Sequence, residues 1–125
     1  MEPAEPRTDN DPYSISTRMA RSTGAVTVPV SVGTVVEVVD DLAHVIDEPR
    51  LVSLSAERAE FTRKRNAWTW GLRITLSFRA LGPERTLIRA DCRPKLPTVL
   101  WDGGQGATEL AMMLGLIDQG ISSER

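Results

Sequence analysis

The stretch WGLRITLSFRA, Trp70 to Ala80, decides the fold. Trp70, Leu72, Ile74, Leu76, Phe78 and Ala80 fall on one parity, and Gly71, Arg73, Thr75, Ser77 and Arg79 on the other. In a strand, successive side chains point to opposite faces, so this pattern predicts an apolar side against a core and a cationic side in water. Gly82-Pro83 predicts a turn. Beyond it Thr86, Ile88, Ala90 and Cys92 continue the inward parity against outward Leu87, Arg89, Asp91 and Arg93. The two runs read as an antiparallel hairpin with one covered face.

Upstream, Val26, Val28 and Val30 alternate with Ala25, Thr27 and Pro29 and predict a first strand. Proline lacks an N–H, so this strand is expected at an edge or with its free side outward. The period then lengthens. Val32, Val35, Val36, Val39, Leu42, Ala43 and Ile46 recur at helical spacing, opposite Glu37, Asp40, Asp41, His44 and Asp47. Thr34 and Glu37 have capping-box spacing, with Ser31 as the competing N-cap, and Glu48-Pro49 ends the helix. Val52, Leu54 and Ala56 alternate with Ser53, Ser55 and Glu57 in a second strand. A polar strand over Glu60 to Asn66, anchored by Phe61, pairs with it through a tight connection near Arg58. After Pro94 and Pro97, Asp102 and Gln105 cap a last helix whose apolar stripe is Leu110, Met113, Leu114 and Ile117.

The expected architecture is therefore α+β, in the order β-α-β4-α, an antiparallel sheet with two helices packed on one face. Residues 1–23, rich in Pro, Asp, Glu and Ser, read as a disordered tail, residues 24–118 as a single domain, and residues 119–125 as a frayed end. With 125 residues there is room for one core. No apolar run approaches the roughly 20 residues of a membrane span, and no secretory signal is present, so a cytoplasmic location is expected. Cys92 is the single cysteine, which excludes an internal disulfide framework and a cysteine-rich metal site.

Charge is unevenly placed. Met1 to Pro49 holds 3 basic and 9 acidic residues, Arg50 to Lys95 holds 11 and 4, and Leu96 to Arg125 holds 1 and 4. The net charge of −2 hides a basic sheet and acidic flanks. The excess of arginine over lysine is what codon bias in a GC-rich bacterial genome produces, so placement carries more information than number. Arg73, Arg79, Arg89 and Arg93 should project from the open face with Thr75 and Ser77 between them. Such a field concentrates opposite charge, whether an acidic protein, nucleic acid or lipid headgroup. The ordinary alternative is a solvated face whose arginines pair with Glu57, Glu60 and Asp91 across strands. A third is internal, with the tail that carries Glu2, Glu5, Asp9 and Asp11 lying over the basic face.

The remaining motifs carry little chemistry. Arg63-Lys64-Arg65, followed by Trp68 and Trp70, superficially matches a basic patch with stacking aromatics, but Trp70 is in phase with Leu72 and Ile74 and reads as core. The triplet itself reads as a solvated turn. Asp102-Gly103-Gly104-Gln105-Gly106 lacks the lysine and hydroxyl of a phosphate loop and reads as a cap. His44 is expected exposed and Cys92 buried as a small apolar side chain. No triad, carboxylate pair in a recognisable motif, metal constellation or cofactor motif is visible, which argues against an enzyme and gives no candidate catalytic residue, metal ligand or cofactor.

Trp70-Gly71 on a strand, the run Arg93-Pro94-Lys95-Leu96-Pro97-Thr98 and Asp102-Gly103 before the last helix carry a resemblance. The segment from Val26 to Ile117 resembles a class of small uncharacterised bacterial proteins with a Trp-Gly motif on a central strand and an Asp-Trp-Gly motif before the last helix. Here Trp101 precedes Asp102. The order of elements is also similar to helix-grip domains of the START and Bet v 1 type. That resemblance implies a second function, an apolar-ligand or lipid carrier with a pocket between sheet and helices lined by Trp70, Ile74, Phe78, Met113 and Ile117. Oligomeric state is not legible, although self-pairing of the basic face would oppose like charges and depend on salt.

Overall fold

A computed structural model describes residues 15–18, 21–63, 71–94 and 105–124. Along the chain these form β1 (Ser16–Arg18), β2 (Arg21–Val28), α1 (Val32–Val45), β3 (Arg50–Leu54), β4 (Arg58–Arg63), β5 (Leu72–Gly82), β6 (Arg85–Pro94) and α2 (Gln105–Glu124). The six strands make one antiparallel sheet in the order β1-β2-β6-β5-β4-β3. The α+β class and the two helices over a single face are as the periodicities require.

The hairpin of β5 and β6 is the centre of the sheet. Ile74 faces Cys92, Leu76 faces Ala90 and Phe78 faces Ile88 on the covered side. All six are buried, in one cluster with Val35, Val38, Val39 and Leu42 of α1 and Leu110, Met113, Leu114, Ile117 and Ile121 of α2. Burying a Leu, Ile or Phe side chain of this kind contributes about 1.5–3 kcal/mol. The turn is Pro83-Glu84, between paired Gly82 and Arg85.

Several elements differ from their expected form. Two strands, not one, precede α1. β1 and the first residues of β2 lie in the stretch read as tail, because inward positions Ser22 and Gly24 carry no apolar side chain to announce them. The sheet recruits them through the backbone, with Ser22 opposite Cys92 and Gly24 opposite Ala90. The Ser22 hydroxyl is buried and lies 2.7 Å from that of Thr17 on β1. Residues 1–14 lie outside the described residues. β2 is an inner strand, with β1 beside only its first three residues. Pro29 falls just past its end, where no ladder bond is needed.

Ser31, not Thr34, caps α1, its Oγ accepting the Thr34 N–H at 3.3 Å. Val38 joins the buried stripe, which the pattern had not included. In β3 the expected alternation fails. The register against β4 shifts between Leu51 and Ser53, so two residues oppose one and the parity inverts. Leu51 and Leu54 turn toward the core, and Val52 is left 57% exposed on an edge strand. Ala80 keeps the inward parity but stands exposed near the end of β5.

Arg63 does not belong to a solvated turn. It ends β4 and reaches across to Glu109 of α2, with Nε and Nη2 both donating to Oε2 at 3.1 and 2.9 Å. Both side chains are largely covered, so loss of either partner strands a poorly hydrated charge. α2 also continues to Glu124 instead of fraying at residue 119, because Ile121 is buried a turn beyond Ile117. Lys64, Arg65, Trp68, Trp70, Trp101 and the Asp102 cap lie outside the described residues.

The two helices touch at Gly120, where an added Cβ would stand 2.8 Å from Cγ1 of Val38. That methyl belongs to a buried β-branched side chain with little rotameric freedom. Gly120→Ala should therefore destabilise the fold by about 1 kcal/mol, overpacking outweighing the gain in helix propensity. In a Val38→Ala background the same change should be neutral or stabilising. Equilibrium urea denaturation of the four variants of this cycle measures the coupling, and equal effects in both backgrounds would contradict the contact.

Candidate functional site: the open face of the sheet

Directly opposed residues of an antiparallel pair share a face. The register therefore places Arg73 beside Arg93, Thr75 beside Asp91, Ser77 beside Arg89 and Arg79 beside Leu87 on the side away from the helices. Pairing extends this face outward on both sides. On β2, Thr23 meets Asp91 and Ala25 meets Arg89, while on β4 Thr62 meets Arg73, Glu60 meets Thr75 and Arg58 meets Ser77. Arg73, Arg79, Arg89 and Arg93 are all exposed on this one surface, as the alternation predicted.

Sequence reasoning missed Arg21. It belongs to the part of β2 taken for tail, yet it has the outward parity of Thr23, Ala25 and Thr27. Extending that parity back from Ala25 would have found it.

Asp91 is the electrostatic hinge of this surface. Arg21 holds it in a two-bond fork, Nε to Oδ1 at 3.2 Å and Nη2 to Oδ2 at 3.1 Å. Arg93, two residues along the same strand, donates from Nε to the same Oδ2 at 3.2 Å. This relieves the like-charge opposition of Arg73 and Arg93 across the hairpin. Arg58 reaches Glu60 on its own strand at 3.4 Å. Of the expected cross-strand pairings only that with Asp91 forms, through Arg21; Glu60 is held within its own strand, and Glu57 lies in the β3–β4 turn, its N–H donating to Ser55 Oγ. Arg73, Arg79 and Arg89 make no ion pair with a carboxylate among the described residues.

The surface is concave. A groove of about 550 Å³ is bordered by Arg21, Thr23 and Ala25 on β2 and by Thr75 and Ser77 on β5, with Leu87, Arg89 and Asp91 along its floor. A smaller one of about 260 Å³ lies among Arg58, Glu60, Arg73 and Arg93 and shares Thr75 and Asp91 with the first. Hydroxyls and guanidinium groups face solvent here, and no aromatic side chain stands on this face among the described residues.

The residues of the alternative pocket occupy the opposite side. Ile74, Phe78, Met113 and Ile117 are brought together, at most 6% exposed, in the cluster between sheet and helices. Trp70 lies outside the described residues. Cys92 is buried in the same layer. No cluster of three metal-ligating side chains occurs among the described residues, and no helix among them is long and apolar enough to cross a membrane.

His44 stands exposed on the last turn of α1, apart from this face. Its Nδ1 lies 2.7 Å from the Asp40 carbonyl oxygen and 3.8 Å from Asp40 Oδ1. The hydrogen bond to that carbonyl, then the carboxylate charge of Asp40, raise its pKa above the ordinary 6.5; desolvation opposes this, and the charge of Asp41 adds a lesser contribution upward. A raised pKa means the charged form is favoured by folding. The contribution is complete below pH 6.5 and disappears as pH rises through the folded-state value. Proton NMR titration should place His44 above 6.5, and Asp40→Asn should lower it only part of the way, because the carbonyl acceptor remains.

No protein-family model matches the chain, and no curated protein matches it. Solved structures do. A conserved protein of unknown function from Enterococcus faecalis superposes with a TM-score of 0.55 at 11% identity, over 85% of this chain and 75% of that one. CalU16 from Micromonospora echinospora gives 0.52 at 13%, over 83% and 77%. Ara h 8.0201 gives 0.51 at 8%, over 83% of this chain and 95% of that one. These likenesses, one of them to a Bet v 1-like protein, support a distant helix-grip-like fold. At such identities they speak to the fold alone.

Proposed function

We propose that this protein is a non-enzymatic binding module that holds an acidic partner against the open face of its sheet. The observation that supports this most is the register of the central hairpin, which gathers Arg73, Arg79, Arg89 and Arg93 on one wet surface while Asp91 and Glu60 are the acids set among them. Surface ion pairs of that kind contribute little, so a face with so few acids keeps a field that attracts anions. Arg93 is partly engaged by Asp91; Arg73, Arg79 and Arg89 supply the uncompensated charge.

Replacing all four arginines with glutamate should abolish retention on polyglutamate and heparin resins that hold the unmodified protein at low salt. A four-fold glutamine variant should elute at an intermediate salt concentration, and thermal melts establish that both variants are folded. Retention unchanged by either set would remove the basis of the reading.

A carrier of an apolar ligand is the second reading, favoured by the superposition on a Bet v 1-like structure that covers 95% of its chain. The ligand would lie against Ile74, Phe78, Met113 and Ile117. Native mass spectrometry of the purified protein should then show the chain mass plus a lipid or hydrophobic metabolite. A mass of the bare chain, unchanged by added fatty acid, would count against the carrier.

A further inference from the structure

Building on the reading of the open face as an anion-binding surface, we infer that its partner is the phosphodiester backbone of a single-stranded nucleic acid, bound without base readout, and that Asp91 is a built-in competitor that limits the affinity. Three features of the face select this occupant. The first is extent. From Arg73 to Arg79 the cations span about 20 Å along β5, and from Arg21 on β2 to Arg58 on β4 they span about 14 Å across the sheet. A single small anion meets guanidinium groups that converge on one point; these are spread like the charges of a polyanion. A dimension of that length passes several consecutive phosphates of one extended strand.

The second feature is composition. A folded protein partner needs an apolar centre to its interface. The middle of this face offers only Ala25 and a partly buried Leu87, set among Thr23, Thr75, Ser77 and arginine, with exposed Val52 on the edge strand and Leu81 at the end of β5 standing apart from them. Hydroxyl and guanidinium donors are the groups that hold phosphate oxygens. The third feature is shape. The groove of about 550 Å³ between β2 and β5, with the smaller one toward β4 bordered by the same Thr75 and Asp91, offers depressions that a strand can enter. A planar bilayer cannot. With no aromatic platform among the described outward residues, bases have nothing there to stack on, and binding depends on charge alone.

Asp91 borders both grooves, with 26% of its side chain exposed, and occupies both Arg21 and Arg93. A phosphate entering the trough must compete with this carboxylate for the same donors. Removing the carboxylate charge therefore strengthens binding, the opposite of what the loss of a structural ion pair does.

Fluorescence anisotropy with a labelled 20-nucleotide oligothymidylate tests the inference, with labelled polyglutamate and co-sedimentation with vesicles containing phosphatidylserine measured in parallel. The full chain should bind, with log affinity falling against log salt at a slope of about 2 to 3, as expected for three or four neutralised phosphates. Asp91→Asn should tighten binding three- to tenfold, Arg73→Gln with Arg89→Gln should weaken it at least tenfold, and Asp118→Asn, on exposed α2 surface, should leave it unchanged. Oligoadenylate should bind within about threefold of oligothymidylate. Failure to bind the oligonucleotide, while polyglutamate or the vesicles bind in an arginine-dependent way, would overturn this inference and leave the anion-binding face standing. Failure to bind any of the three would overturn both. An Asp91→Asn variant that folds normally and binds no tighter would remove the competitor.

Discussion

The pairing of β5 with β6 is the constraint on which everything else rests. Side chains alternate along both strands, so one choice of register assigns every residue of the hairpin to water or to core. A slip of one position would carry Arg73, Arg79, Arg89 and Arg93 under the helices and turn Leu72, Ile74, Leu76 and Ile88 outward. Both consequences are costly, one through buried unpaired charge and the other through apolar surface left in water. The basic face and the apolar core are thus two results of the same set of hydrogen bonds.

The helices complete what the hairpin begins. Each has one apolar stripe, and both stripes settle on the same side of the sheet, with Val38 of α1 against Gly120 of α2 at their crossing. The ion pair between Arg63 and Glu109 ties α2 to β4 at the margin of this layer. Covering one side leaves the other free, so the wetness of the arginines is a consequence of where the helices lie. Edge strands are handled separately. β1 is three residues long and β3 carries a bulge, features that disfavour edge-to-edge association.

The superpositions on Ara h 8.0201, CalU16 and the Enterococcus faecalis protein place this architecture near the helix-grip type, at identities too low to transfer a function. Within that architecture the two readings of function use opposite sides of one sheet. The carrier reading needs room within the layer that Ile74, Phe78, Met113 and Ile117 now share. The anion-binding reading uses only what already faces solvent. They therefore differ in which side of the sheet a ligand would touch.

What the sequence by itself determined was every feature written in a local period: the two strands of the hairpin, the amphipathic α1 and α2, the inward Cys92 and the outward arginines. Period-two alternation and helical spacing are properties of neighbouring residues, and they hold wherever pairing with another strand does not shift them. What only the tertiary structure decided was whatever depends on a partner distant in the chain. The first residues of β2 carry Ser22 and Gly24 where apolar side chains would have announced a strand, and they are held by pairing with β6. Val52 faces water because a bulge against β4 inverts the parity of β3. Arg21 meets Asp91, seventy residues away, and Arg63 meets Glu109, because strand order and helix packing bring them together. Such contacts leave no trace in the residues on either side of them, since their geometry is set by the backbone of the assembled sheet.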